Sequence, residues 1–126
     1  MIDPKVNREL WKSESAFEDF QDCLEDMAEL DTLTTEQAVA LAQRIKAVLQ
    51  DEEKNGGKVT DPLFFYYFAL SNYRLIQLGE DDPPIPDLTR KSFETALTLD
   101  RKNPTLTPRM LEFAQEAIME IGRGLG

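Results

Sequence analysis

The chain lacks histidine and contains a single cysteine, Cys23. Histidine is the commonest general base and the commonest metal ligand, and one cysteine cannot complete a usual zinc site or an internal disulfide. We therefore expect no catalytic residue, no metal site and no cofactor. The one enzymatic alternative is a carboxylate-only magnesium site that hydrolyses nucleotides. Asp22 and Glu25 would begin such a site, but no second carboxylate pair in the sequence faces them.

Positive charge is scarce as well. Asp and Glu number 24 against 14 Lys and Arg in 126 residues, for a formal net charge of −10. Nucleic acids and anionic membranes require a positive surface, so neither is expected as a partner. The longest apolar run, Leu63–Leu70, is too short to cross a bilayer, and the first thirty residues lack the apolar core of a secretory signal. These absences fit a cytoplasmic protein, and the negative net charge favours a basic or apolar partner.

Apolar residues recur at helical spacing along almost the whole chain, which predicts one all-α domain over 1–126, an array of about five antiparallel helices. Asp3, Thr34 with Gln37, and Asp61 are the expected N-caps. Ser13 interrupts the apolar seam of the first helix. The expected helices run from Pro4 to about Leu30, from Thr35 to Asp51, from Pro62 to Leu78, from about Asp87 to Asp100, and from Thr107 to residue 123.

Prolines interrupt the helical pattern between the third and fourth helices. Three of the four residues in Pro83-Pro84-Ile85-Pro86 are proline, which predicts a non-helical, extended loop over 80–86. Such a segment serves either as a stiff spacer between helices or as a ligand for a proline-recognition domain. Its acidic flank favours the spacer, since most such ligands carry a basic flank.

Large and small residues recur at helical spacing within the segment 62–104, and an Asn-Pro turn ends it. The residues are Tyr67, Leu70, Ser71, Asn72, Phe93, Ala96, Leu97, Leu99, Asp100, Asn103 and Pro104. In these residues the segment resembles one hairpin of the tetratricopeptide repeat family, a helix–turn–helix in which small residues lie where helices touch. Arg101 departs from the family pattern, which prefers proline there, and the turn carries an insertion of about five residues. The resemblance implies a tetratricopeptide-like superhelix, with 1–58 as an N-terminal helical pair, 61–104 as the hairpin and 107–123 as a capping helix.

Such arrays hold a partner peptide or helix in a groove lined by the first helix of each pair. The resemblance thus implies a protein–protein interaction module or a small chaperone or adaptor. The string YFALSNYRL is also similar to the corresponding helix of the tail-anchored adaptor of organelle fission. The alternatives are that the helix 3 aromatics are simply core, or that these helices bury a homodimer seam without a separate ligand. The expected partner-binding residues are Phe65, Phe68, Asn72, Arg74 and Leu75.

Eight carboxylates and no Lys or Arg occur between residues 14 and 31. Negative charge toward the end of a helix opposes the macrodipole, and like charges four residues apart repel. A basic partner surface would relieve both effects, while the alternative is an ordinary solvated face. The residues expected to steer a basic partner are Glu14, Glu18, Asp22, Glu25 and Glu29.

Overall fold

The computed structural model describes residues 8–80 and 85–124. These residues form five α-helices and two short 3-10 helices, with no strand among them, so the all-α prediction is confirmed for the described chain. The 3-10 helices are Arg8–Leu10 and Leu30–Thr32. The α-helices are α1 (Glu14–Met27), α2 (Thr35–Lys54), α3 (Pro62–Gln77), α4 (Ile85–Lys102) and α5 (Pro108–Gly124).

Two of the predicted helix starts are confirmed by their hydrogen bonds. The backbone N–H of Gln37 donates to the Thr34 hydroxyl at 3.3 Å, and the Gln37 side-chain oxygen accepts from the Thr34 N–H at 3.0 Å. Asp61 caps α3 by accepting from the N–H of Leu63 at 2.9 Å. Both caps satisfy N–H groups that the first turn of a helix leaves unpaired.

The predicted start of the first helix is wrong within the described residues. Ser13 has extended backbone angles and its hydroxyl accepts from the N–H of Ala16, so α1 begins at Glu14. Ser13 is therefore a helix cap and not a gap in a longer apolar seam. The predicted cap and first residue of that helix, at positions 3 and 4, lie outside the described residues.

The fourth helix begins earlier than the proline content predicts. Pro86 is the second residue of α4, although the segment 80–86 was expected to be non-helical. Proline is tolerated in a first turn because the N–H it lacks would have no helical partner there. Residues 81–84 of the predicted extended loop lie outside the described residues. Leu88 is 37% exposed because α4 buries the neighbouring side that carries Thr89 and Phe93.

Helices consecutive in sequence make the most extensive contacts, and α1 also contacts α3. The ring of Phe20 lies 5.5 Å from that of Phe64 at the start of α3, while Arg74 at the end of α3 reaches the backbone of Asp31. Helices α1 and α3 therefore run in the same direction. Short loops join consecutive helices as antiparallel neighbours, so α5 shares that direction.

The aromatic side chains of the core form two groups joined by α3. Trp11, Phe20, Phe64 and Phe68 pack between α1 and α3, with ring centroids 5.5 to 5.9 Å apart. Each is buried, and burial of a side chain of this size stabilises the fold by roughly 1.5–3 kcal/mol. On the other side of α3, the second group consists of Tyr66, Tyr73 and Phe93, and the exposed ring of Phe113 on α5 packs against it.

Candidate protein-binding surface

Three of the five expected partner-binding residues lie in the interior. Phe68, Asn72 and Leu75 are 6%, 5% and 5% exposed. The Asn72 side-chain amide donates to the carbonyl of Phe68 at 2.9 Å, and Leu75 packs in a small cluster with Ala38 and Ala42 of α2. Because they are buried, these three side chains are not presented to a partner.

The other two expected residues are half-buried and have contacts within the chain. One guanidinium nitrogen of Arg74 donates to the carbonyls of Asp31 at 2.9 Å and Leu33 at 3.3 Å. Arg74 thus fixes the α1–α2 loop to the last turn of α3. Phe65 meets the ring of Phe64 edge-on, with centroids 5.2 Å apart.

The accessible side of α3 that faces α1 carries only Arg74 of the five expected residues. Tyr67, Leu70, Arg74 and Gln77 are spaced by three, four and three residues, and each is half-buried or exposed. Such spacing places them in one line along the helix. Arg74 contacts the loop after α1, so this line faces the α1 side. The signal in the sequence was Arg74, the single charged residue of an otherwise apolar helix, because it marks the side that stays near water.

The adjoining side of α1 is apolar. Phe17 and Leu24, two turns apart, are half-buried and pack against the main core. The opposite edge of α1 faces α2, where Asp26 forms an ion pair with Arg44. Phe17 and Leu24 therefore lie on the edge toward α3. With Tyr67 and Leu70 they form what we call the α1–α3 surface.

A cation already lies against this surface. The guanidinium carbon of Arg8 is 5.4 Å from the centroid of the Phe17 ring, within the range of a cation–π contact. The same guanidinium donates to the carbonyl of Trp11 at 2.6 Å. A basic side chain can therefore occupy the space over Phe17.

A line of acidic residues, here called the acidic stripe, follows the solvent side of α1. Spacings of four, four, three and four place its members along one side of the helix and the turn after it. All are exposed, and in residues 8–80 and 85–124 none forms an ion pair. The last turn of α1 contains no basic residue. The members are Glu14, Glu18, Asp22, Glu25 and Glu29.

Buried carboxylates perform a structural role that the sequence did not indicate. Glu52, fully buried, accepts from the backbone N–H of Lys12 at 2.9 Å and of Ser13 at 2.7 Å. Asp61 accepts from the Trp11 indole N–H at 3.1 Å, and burial raises the pKa of its carboxyl. Glu52 thus holds the segment before α1 against the end of α2, and Asp61 holds it against the start of α3.

Neither the thiol nor the carboxylates assemble into a reactive or metal-binding group in the described chain. Cys23 is buried, and burial raises the pKa of its thiol, which opposes formation of the reactive thiolate. Residues 8–80 and 85–124 contain no group of three or more Cys, Asp or Glu side chains placed to hold a metal ion. In the same residues no helix has both the length and the apolar character needed to cross a bilayer.

No protein-family model, curated protein or solved structure matches this chain. The likeness to a tetratricopeptide hairpin consequently depends on the sequence pattern of 62–104. What the α1–α3 surface and the acidic stripe can do follows from their own geometry and charge.

Proposed function

We propose that the protein is an interaction module that binds a basic, amphipathic helix or peptide of another protein. The apolar side of the partner would lie on the α1–α3 surface, and its basic side would face the acidic stripe. An amphipathic segment laid into an apolar groove is a recurring mode of peptide recognition. The chain would thus act as an adaptor or small chaperone without catalysis.

The acidic stripe supports the electrostatic half of this proposal. Its five carboxylates form no ion pair within the described residues, so a basic partner would relieve their mutual repulsion. A single exposed ion pair contributes only about 0–1 kcal/mol. Five carboxylates of one sign in a line would chiefly increase the association rate and select basic partners.

The α1–α3 surface supports the apolar half. Phe17, Leu24, Tyr67 and Leu70 pack on the core yet keep part of their area exposed, which a partner side chain would bury. Burial of apolar area contributes roughly 25 cal/mol per Å². The observation that carries the proposal is the position of the unpaired acidic stripe along the same helix as Phe17, whose ring already contacts the Arg8 guanidinium.

Charge reversal of the stripe tests the proposal. The probe is a pull-down from lysate of the source cells, followed by affinity measurement with each captured protein. In E14K/E18K/E25K the captured basic partners should bind at least about tenfold more weakly at physiological salt. The matched control is E36K/E94K/E112K, which changes the net charge equally at exposed residues of α2, α4 and α5.

The apolar contact needs a separate variant. L70Q should weaken binding while the helical circular dichroism stays unchanged, because Leu70 is only half-buried. Equal losses in the stripe variant and its charge-matched control would mean a nonspecific charge effect. Binding that survives both the stripe reversal and L70Q would rule out this surface.

A further inference from the structure

The last described helix leaves one side uncovered. α5 makes its main contacts with α4, through a buried side that includes Ala114, Ala117 and Ile121. On another side lies Met119, which is 59% exposed and is the most exposed large hydrophobic side chain of the described chain. Scattered exposed apolar residues are normal, so Met119 becomes informative only together with its neighbours.

The side chains around Met119 include an acid and a base two turns apart. Glu116, Met119, Glu120 and Arg123 line one shallow pocket of about 400 Å³. The Glu120 carboxylate accepts a hydrogen bond from the Tyr73 hydroxyl at 2.9 Å, so it is engaged with α3. Glu116 and Arg123 lie two turns apart and form no ion pair with any described residue.

We propose that this side of α5 binds the same side of α5 in a second copy of the chain. If two such helices pack antiparallel about a two-fold axis that passes between positions 119 and 120, Arg123 of each copy lies opposite Glu116 of the other. The two Met119 side chains meet beside the axis and cover one another. A two-fold interface uses one patch twice, so the patch must complement itself. Here the two pairs of Glu116 with Arg123 have opposite charges, while the two Glu120 carboxylates lie near one another beside the axis and oppose association.

The geometry favours a second copy over an unrelated partner. In an antiparallel second copy, the acid and the base of α5 lie at the same separation but in reverse order, so Glu116 and Arg123 of the two copies can pair. An unrelated helix would need its own acid and base at that separation. One helix pair covers less area than a standard stable interface, so the dimer is expected to be weak.

Sedimentation equilibrium of the full chain over a concentration series up to about 1 mM, the range of a weak dimer, tests this inference. Wild type should show a reversible monomer–dimer equilibrium. E116R and R123E each place like charges opposite one another and should weaken dimerisation by about tenfold or more. The double exchange E116R/R123E restores opposite charges and should return the association to within about threefold of wild type.

R109E is the matched control, since it reverses a charge on α5 outside the proposed seam and should leave the equilibrium within about twofold. A wild type that stays monomeric at every concentration overturns the inference. So does a dimer that resists both single reversals, or one that R109E weakens as much as R123E does. Failure of the double exchange to recover also overturns the pairing. Each outcome is independent of partner binding on α1 and α3.

Discussion

The buried carboxylates near helix ends and the exposed carboxylates of the acidic stripe share the same chemical group but differ in their contacts with the backbone. Glu52, Asp61 and Asp100 are buried, and each accepts a hydrogen bond from at least one backbone N–H near the start of a helix or loop. The stripe carboxylates are exposed, and within residues 8–80 and 85–124 they accept no hydrogen bond from another helix or loop. The comparison shows that a carboxylate in this chain becomes structural where a loop presents free N–H groups to it, and otherwise remains available to solvent or a partner.

The largest effect should come from Glu52. E52A leaves the buried N–H groups of Lys12 and Ser13 without an acceptor and opens a gap beside Gly57. An unsatisfied buried group costs about 1–3 kcal/mol, so the free energy of unfolding should fall by about 3–5 kcal/mol. Urea denaturation measures it. E53A, at an exposed neighbour, should stay within about 0.5 kcal/mol; similar losses in both variants would contradict the role of Glu52.

The α4–α5 loop should show the next largest effect. One oxygen of Asp100 accepts from the N–H groups of Thr105 and Leu106, both at 2.7 Å. D100A removes that acceptor and should lower the free energy of unfolding by about 2 kcal/mol, whereas D100N keeps an acceptor oxygen and should cost less. Denaturant titration of both variants checks the order. If D100N costs as much as D100A, the hydrogen bonds are not the cause.

The pH dependence of stability shows whether burial or hydrogen bonding dominates the pKa of Asp61. Burial raises the pKa of Asp61 in the folded state, so its ionisation favours the unfolded state. The stability it contributes is complete below its unfolded pKa and is lost as pH rises through the folded pKa. Wild type should therefore gain stability relative to D61N as pH falls from about 7 to about 4, the carboxyl range. Thermal unfolding of both proteins at each pH gives the difference, and a gap that is constant or opposite in sign would refute the assignment.

The smallest effect should come from the acidic stripe, and its sign should be reversed. E18Q/D22N/E25Q removes like-charge repulsion on α1 and negative charge near its C-terminal end. The free energy of unfolding should rise by about 0.5 kcal/mol at low salt. The gain should disappear in about 1 M salt, where the screening length is short. A destabilised variant would show that the stripe has structural contacts of its own.

The sequence predicted the helices and their caps better than the contacts between distant parts of the chain. Thr34 and Asp61 were recognised as caps because capping depends on residues two or three positions away. Glu52 stands in the run Asp51-Glu52-Glu53, which looks like a solvated helix end, and its acceptor role depends on residues 12 and 13. That pairing spans about forty residues of chain, and no local pattern encodes it. Gly57 is the one nearby residue whose identity reflects the buried Glu52, since a Cβ at position 57 would lie 2.6 Å from the Glu52 carboxyl carbon.

The accessible surface was harder to predict than the helices for a related reason. α3 is apolar on nearly every side, so its sequence does not fix which side faces solvent. The positions of the neighbouring helices decide it, and they bury Phe68, Asn72 and Leu75 while leaving Tyr67 and Leu70 partly exposed. The acidic stripe was predictable because charged side chains at helical spacing seldom face a core.

Because each helix contacts chiefly the helices next to it in sequence, the contacts are formed mostly over short chain separations. Folding of such a topology is fast, since little loop-closure entropy opposes it. The amide protons should then exchange with solvent deuterium in order of position. Those of α5, which has one main neighbour, should exchange earliest, and those of α3, between α2 and α4, should exchange last.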